Sequence, residues 1–274
     1  MRLAVALHLF NFQLFDELYA YLQNLNKAGY KYDMYVAVPF GGDITTLRKY
    51  WPNAVVTTHE NRGFDIASFF SLCQLIRRKK YDFVLKLHTK SDTNWRKSLI
   101  EPLLGTPSKA KAALEAFKDP NVGMVGSRQW TIPMGVHWGI YQHHIVDICR
   151  QWQVPLVPCQ FIGGTVFWVR WSLFSEAMTK VDLEQVITTT NDEDTLDWSW
   201  YLLHYPDLRT SGIDTEEKAR AHWRDFGKAE RRACNVLYGR RRQIPISIDG
   251  MIEHAYERFF GLLVVHGGQR VLGV

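Results

Sequence analysis

The sequence predicts an α/β fold, a mostly parallel sheet flanked by helices. Two observations carry this reading. Four apolar runs of strand length alternate with segments of helical period over residues 3–89, the βαβαβαβ order of a parallel sheet with crossover helices. Charged residues then gather where the runs end, in ENRGFDIASF (60–69) and YDFVLKLHTKSD (81–92). Open parallel sheets bind ligands outside the carboxyl ends of their strands.

LAVALHLF (3–10) is a continuous apolar run and reads as a first buried strand rather than a signal peptide. Residues 14–25 carry Leu14, Leu18, Tyr21, Leu22 and Leu25 at helical spacing. YDMYVAVPF (32–40) is a second strand closed by Pro39 and the Gly41-Gly42 pair, and 44–51 reads as a short helix. AVVTTHE (54–60) is a third strand, 65–79 a helix with Asp65 near its start, and 81–89 a fourth strand. Beyond it the pattern is less regular. Helices are expected over 95–105 and 108–119 and a short strand over 121–127. Residues 161–178 read as glycine turn, strand and helix, and 248–265 as a polar turn and helix.

Residues 197–233 read as an inserted helical pair, with a turn at Pro206, an N-cap at Asp214 followed by acidic residues, and Gly227 near its end. The expected organisation is one α/β domain over 1–196 plus 234–274, interrupted by this insertion. No second copy of the segment is present, which excludes a repeat array.

Composition narrows the function. The 274 residues carry a net charge of +5, too mild and scattered for a nucleic-acid binder, which clusters its cations on one face. RRKK (77–80) and GRRRQ (239–243) are the dense basic clusters. Each reads as a solvated helix end or loop, with attraction to an anionic membrane left open as a peripheral association. Cys73, Cys149, Cys159 and Cys234 form no CxxC pair and no zinc-like spacing, as expected for a cytoplasmic protein with free thiols. No apolar run approaches bilayer-spanning length. Ten tryptophans suit either an aromatic core or a surface that stacks sugars.

Dinucleotide, P-loop, serine-hydrolase and zincin motifs are all missing. The informative pieces are ENRGFDIASF, LKLHTKSD (85–92), GGTVFWVR (163–170) and DGMIEHAYER (249–258). Taken together and in this order, the chain resembles the rhamnan synthesis protein F family of glycosyltransferases. That resemblance implies a GT-A-like nucleotide-diphospho-sugar transferase fold, with a nucleotide-diphosphate sugar as donor and a glycan as acceptor. The donor sugar would be a hexose or a deoxyhexose such as rhamnose. Where many such enzymes end a strand in Asp-x-Asp, this chain has His88, Thr89 and Lys90, with Asp92 beyond.

A sugar leaving a nucleotide diphosphate builds negative charge on phosphate oxygens, which a divalent cation or basic side chains must neutralise. Lys86, Lys90 and Arg62 are candidates for direct neutralisation. His88 and Asp92 leave a weakly held Mn or Mg ion open. Asn61 and Gly63 fit the Asn-x-Gly turn of the resembled family. Asp65 suits a hydroxyl of the nucleotide or, alternatively, a helix N-cap. Gly163 and Gly164 allow close backbone approach to the donor. Trp168 and Arg170 are expected on the acceptor side, against the alternatives of a buried strand Trp and a sheet-edge Arg. An inverting transfer needs one base: Asp249 is the first candidate and His254 the second. Glu257 belongs to the same catalytic element, with Arg258 as a donor-side cation or its supporting ion-pair partner. The alternative function is a non-catalytic glycan- or partner-binding module with a decayed transferase site.

Overall fold

Strand β1 (Leu3–His8) is buried along its whole length and sits inside the sheet. The computed structural model describes residues 1–59, 64–137, 141–180, 196–230, 232–234 and 252–274. The chain divides into two compact units, residues 1–187 with 252–274 and residues 188–251.

In the first unit, β1 is joined by β2 (Tyr32–Pro39), β3 (Val55–His59), β4 (Phe83–His88) and β5 (Val122–Gly126). A two-stranded ribbon pairs β6 (Thr131–Pro133) with β7 (Gln160–Ile162). β8 (Phe167–Arg170) and β9 (Arg270–Gly273) complete a seven-stranded sheet of order β3-β2-β1-β4-β8-β5-β9. Its neighbours pair in parallel except around β8, which is antiparallel to both β4 and β5. This mostly parallel sheet with flanking helices is the class the sequence predicts. β6, β7 and β9 lie outside the predicted elements: the first two are three residues each, too short for a periodic signal.

Strand alternation divides the core. Leu3, Val5, Leu7, Met34, Val36, Val38, Leu85 and Leu87 face one side. There they meet α1 (Phe15–Lys27), α2 (Ile44–Tyr50), α4 (Thr93–Leu104) and α5 (Pro107–Glu115). Ala4, Ala6, Ala37 and Val84 face the other side, towards α3 (Phe64–Ile76), α6 (Gln142–Trp152), α7 (Trp171–Ser175) and a C-terminal helix over Ile252–His266. The small side chains make room for Phe69 and Phe70 of α3 and Phe260 of the C-terminal helix, whose rings pack at 5.6 and 5.7 Å. That helix runs close against β7: a Cβ on Gly261 would run into the carbonyl oxygen of Gln160. Gly261→Ala is therefore expected to destabilise the unit by about 2–3 kcal/mol, since a backbone clash finds no relief in a rotamer. A urea unfolding curve measures it.

The described part of the second unit holds α8 (Trp198–His204), α9 (Pro206–Thr210) and α10 (Glu216–His222), followed by one π-helical turn over Trp223–Gly227. Asp197 caps α8 through Trp200 N at 3.0 Å. Pro206 occupies the first turn of a helix of its own, where its missing N–H costs nothing. The cap of α10 is Thr215, which accepts from Lys218 N at 3.3 Å. Asp214, the expected cap, instead pairs with the Lys218 ammonium at 2.7 Å. Tyr201, Leu202, Leu208, Ala219 and Trp223 form the core of this unit. The C-terminal helix of the first unit is α11 in chain order.

Candidate functional site

The parity of β1 and β4 decides which polar side chains meet. Ala4, Ala6 and His8 share a face, as do Val84, Lys86 and His88, and the register sets Ala6 beside Lys86 and His8 beside His88. α3 covers that face and brings Asp65 in its first turn. Lys86 Nζ donates to Asp65 Oδ2 and, at 2.8 Å, to Thr165 Oγ1. Thr165 Oγ1 in turn donates to Asp65 Oδ2 at 2.6 Å.

Antiparallel β8 explains Thr165. Phe167 pairs with Lys86, so the turn preceding β8 reaches the carboxyl end of β4. The turn needs left-handed backbone at two successive residues, Gly164 (φ 79°) and Thr165 (φ 52°). For a β-branched residue this is a strained conformation, held here by its hydrogen bonds to Asp65 and Lys86. His88 Nε2 donates to the Gly164 carbonyl at 2.8 Å, while the Gly164 N–H donates to Glu257 Oε1 at 2.5 Å. Glu257 Oε2 accepts from Arg258 Nη1 at 3.1 Å. The Arg258 guanidinium also donates to the His254 carbonyl at 2.6 Å and lies 4.1 Å from the Tyr141 ring centre. Five separate segments thus converge at one sheet edge.

Charge within the cluster is fixed by its partners. Burial opposes ionisation of Asp65, but His88, the Lys86 ammonium and the hydrogen bonds from Lys86 and Thr165 outweigh it and hold the carboxyl well below the ordinary carboxylate range. Its side chain is 21% exposed, and its bonds to Lys86 and Thr165 engage Oδ2. Among the described residues Oδ1 accepts no hydrogen bond, and it is not shut off from solvent. Burial keeps the His88 imidazole neutral to lower pH than usual.

His8, which the sequence motifs pass over, is buried with Nε2 unpartnered. Burial pushes its pKa down to about 3, against the attraction of Asp65 and with small contributions from His88, His59 and Lys86. The folded protein therefore binds fewer protons than the unfolded chain below pH 6.5. The stability this gives is fully present above the unfolded value of 6.5 and is lost as pH falls towards 3. His8 alone is expected to remove up to about 1.4 kcal/mol per pH unit in that window. Urea unfolding of wild type and His8→Gln from pH 7.5 to 5 measures the difference in slope.

Several expected ligand contacts are corrected. Lys86 is 1% exposed and serves Asp65 and Thr165, so it does not reach a phosphate. Trp168 is 0% exposed, sealed between sheet and helices, so it offers no face to a sugar. Arg170 pairs in register with Phe83 at the start of β4, about 16 Å along the strand from His88. It donates to the carbonyls of Phe117 and Val122 at 3.1 and 3.2 Å, which makes it a sheet-edge residue. Both carboxylate oxygens of Glu257 are occupied, which suits support of the Gly164 turn rather than proton abstraction. The ion pair of Glu257 with Arg258 is present. Gly163 and Gly164 accommodate protein: added Cβ atoms would meet Ile132 at 2.9 Å and Leu99 at 2.8 Å. Asp65 is the second residue inside α3, and its Oδ2 is engaged by Lys86 and Thr165. Asn61, Arg62 and Asp249 lie outside the described residues, and His254 sits with its ring 5.9 Å from Tyr141.

The described donor set does not fit a divalent cation. Asp92 caps α4, accepting from Trp95 N at 2.7 Å, and His88 turns Nε2 to a carbonyl. Among the described residues no group of three or more His, Cys, Asp or Glu is placed to hold a metal ion. At the Asp-x-Asp position stands Lys90, its ammonium 3.6 Å from the Trp95 ring centre. Buried Arg96 holds the loop beneath: it donates to Lys90 O at 2.6 Å and Ser91 O at 3.2 Å, and grips Glu17 at 3.0 and 2.7 Å.

A charged cluster at the carboxyl ends of parallel strands, where the topology changes direction at β8, is the setting in which α/β folds take their ligands. Residues 1–144 match the family described as rhamnan synthesis protein F, and the chain belongs to that family. Two curated relatives, each an uncharacterized protein WxcX of Xanthomonas campestris pv. campestris (strains B100 and ATCC 33913), are 26% identical over 230 residues. The match covers 81% of this chain and 25% of each relative, so the chain spans about a quarter of their length. A crystal structure of the galactosyltransferase LgtC with donor and acceptor sugar analogs aligns over 81% of this chain and 69% of its own, at 11% identity and a TM-score of 0.33. No described helix is long and apolar enough to cross a membrane.

Proposed function

We propose that this sheet edge is the donor site of a glycosyltransferase that moves a hexose or deoxyhexose from a nucleotide diphosphate to a glycan. The observation that carries the reading is Asp65: a carboxylate kept ionised by a buried lysine, with Oδ1 at the strand ends not shut off from solvent. Such an oxygen accepts a hydrogen bond from a ribose or sugar hydroxyl. Lys90 and Arg62 meet the charge that develops on the diphosphate, in place of a divalent cation. The hydrogen bonds of His88 and Asp92 lend no support to a metal role for either. Asp249 is the proposed base of an inverting displacement, deprotonating the acceptor hydroxyl.

The test is release of nucleotide diphosphate from a panel of nucleotide sugars mixed with glycan acceptors, in Mn²⁺, Mg²⁺ or EDTA. Release from at least one donor that persists in EDTA is expected. Asp249→Asn should abolish turnover while leaving donor binding intact. A second reading has an observation of its own. Lys86 and Trp168, two expected ligand contacts, are buried, as they would be in a non-catalytic glycan- or partner-binding module. Glycan binding without nucleotide release from any donor identifies that case.

A further inference from the structure

The opposite edge of the sheet carries a second charged surface. Arg2 precedes β1, Lys31 precedes β2, and Arg77, Arg78, Lys79 and Lys80 lie in the turn between α3 and β4. All six are exposed. The register sets Leu3 beside both Tyr32 and Phe83, which places Arg2, Lys31 and Asp82 in one row across three strands. The four-residue basic turn enters the same edge.

Two carboxylates, Asp82 and Asp33, lie among these six cations and leave most of them unmatched; Asp119, further along the edge, pairs with Arg270 at 2.9 Å. Asp82 accepts from the Arg2 backbone at 2.7 Å, and Asp33 lies 4.0 Å from Lys79. Lys31, Arg77, Arg78 and Lys80 make no ion pair among the described residues. A helix carboxyl end attracts one or two cations; six on a single edge exceed that need. The rings beneath Arg2 and Lys79, Tyr81 and Tyr35, are buried and offer no stacking platform for the bases of a single-stranded nucleic acid. Several unpaired cationic side chains along one row of strand ends match an extended anionic surface.

We propose that this edge docks the protein on a bilayer containing anionic lipid. Each lysine or arginine near such a surface strengthens binding several-fold, and the attraction fades beyond about one Debye length. Docking by this edge turns the carboxyl ends of the strands, with Asp65 and His88, away from the bilayer, about 20 Å along β4. The proposal does not rest on glycosyl transfer, and its test needs no nucleotide sugar.

Sedimentation with phosphatidylcholine vesicles, with and without phosphatidylglycerol, tests it directly. Binding is expected only to vesicles that contain phosphatidylglycerol, with release at high salt. The triple variant Arg77→Glu, Arg78→Glu, Lys80→Glu should bind on the order of a hundredfold more weakly. A control of equal charge change on the exposed Lys97, Lys109 and Lys111, each changed to Glu, should retain most of the binding. Far-UV dichroism and melting of both variants establish that they fold. The proposal is overturned if phosphatidylglycerol vesicles do not sediment the wild type, if pure phosphatidylcholine does so equally, or if the two triple variants bind alike.

Discussion

Lys86→Met is expected to destabilise the first unit by about 3–5 kcal/mol, because it leaves the Asp65 carboxylate without its buried counter-charge. Coulomb attraction is not the whole of the loss. Thr165 also loses a donor at 2.8 Å, and its left-handed backbone loses one of the bonds that hold it. Replacing both charges by apolar groups removes the unpaired carboxylate, so Lys86→Met with Asp65→Leu should recover most of the stability while ending ligand binding. Denaturant unfolding of the two single variants and the double variant gives the coupling energy. A single-variant loss below about 1 kcal/mol would mean that the pair is solvated rather than buried.

Arg96→Ala is expected to cost about 3 kcal/mol and to loosen the loop that carries Lys90. The guanidinium is buried and serves Glu17 with two bonds and the carbonyls of Lys90 and Ser91 with two more. Truncation strands all of these acceptors at once. Lysine cannot copy the planar fork, so Arg96→Lys should recover little. Hydrogen exchange across residues 89–92, together with unfolding, separates loss of the loop from loss of the fold. Unchanged exchange there, with full global stability, would show that the loop stands without Arg96.

Part of this site was legible in the sequence. The alternation over 3–89 and the charges at the strand ends place Asp65, Lys86 and His88 at one sheet edge. What the pattern could not give is the role of each. Lys86 follows an apolar run, and only the packing of α3 over the strand shows that it is buried against Asp65. Trp168 sits in an aromatic strand whose central position, between β4 and β5, is a matter of topology rather than periodicity. Thr165 is hidden because a threonine after two glycines gives no sign of positive φ. His8 had a usable signal. Its parity with Ala4 and Ala6 matches that of His88 with Val84 and Lys86, so two strands in register bring both imidazoles to one face. Arg96 had none, since its partner Glu17 lies in a helix far away in the chain.

We propose that the strand ends around Asp65 bind a nucleotide-diphosphate sugar. The most direct measurement is a thermal-shift titration of wild type and Asp65→Asn with a panel of nucleotide sugars in EDTA. Asparagine keeps an acceptor for Lys86 and Thr165 but leaves the buried Lys86 ammonium without its counter-charge, so each protein's shift is read from its own ligand-free melting point. At one hundred times its Kd, a bound donor should stabilise the wild type by about 2.7 kcal/mol, and Asp65→Asn should lose most of that gain. A folded wild type that no nucleotide sugar stabilises, or an Asp65→Asn variant that responds as fully as the wild type, would show that Asp65 does not hold a donor there.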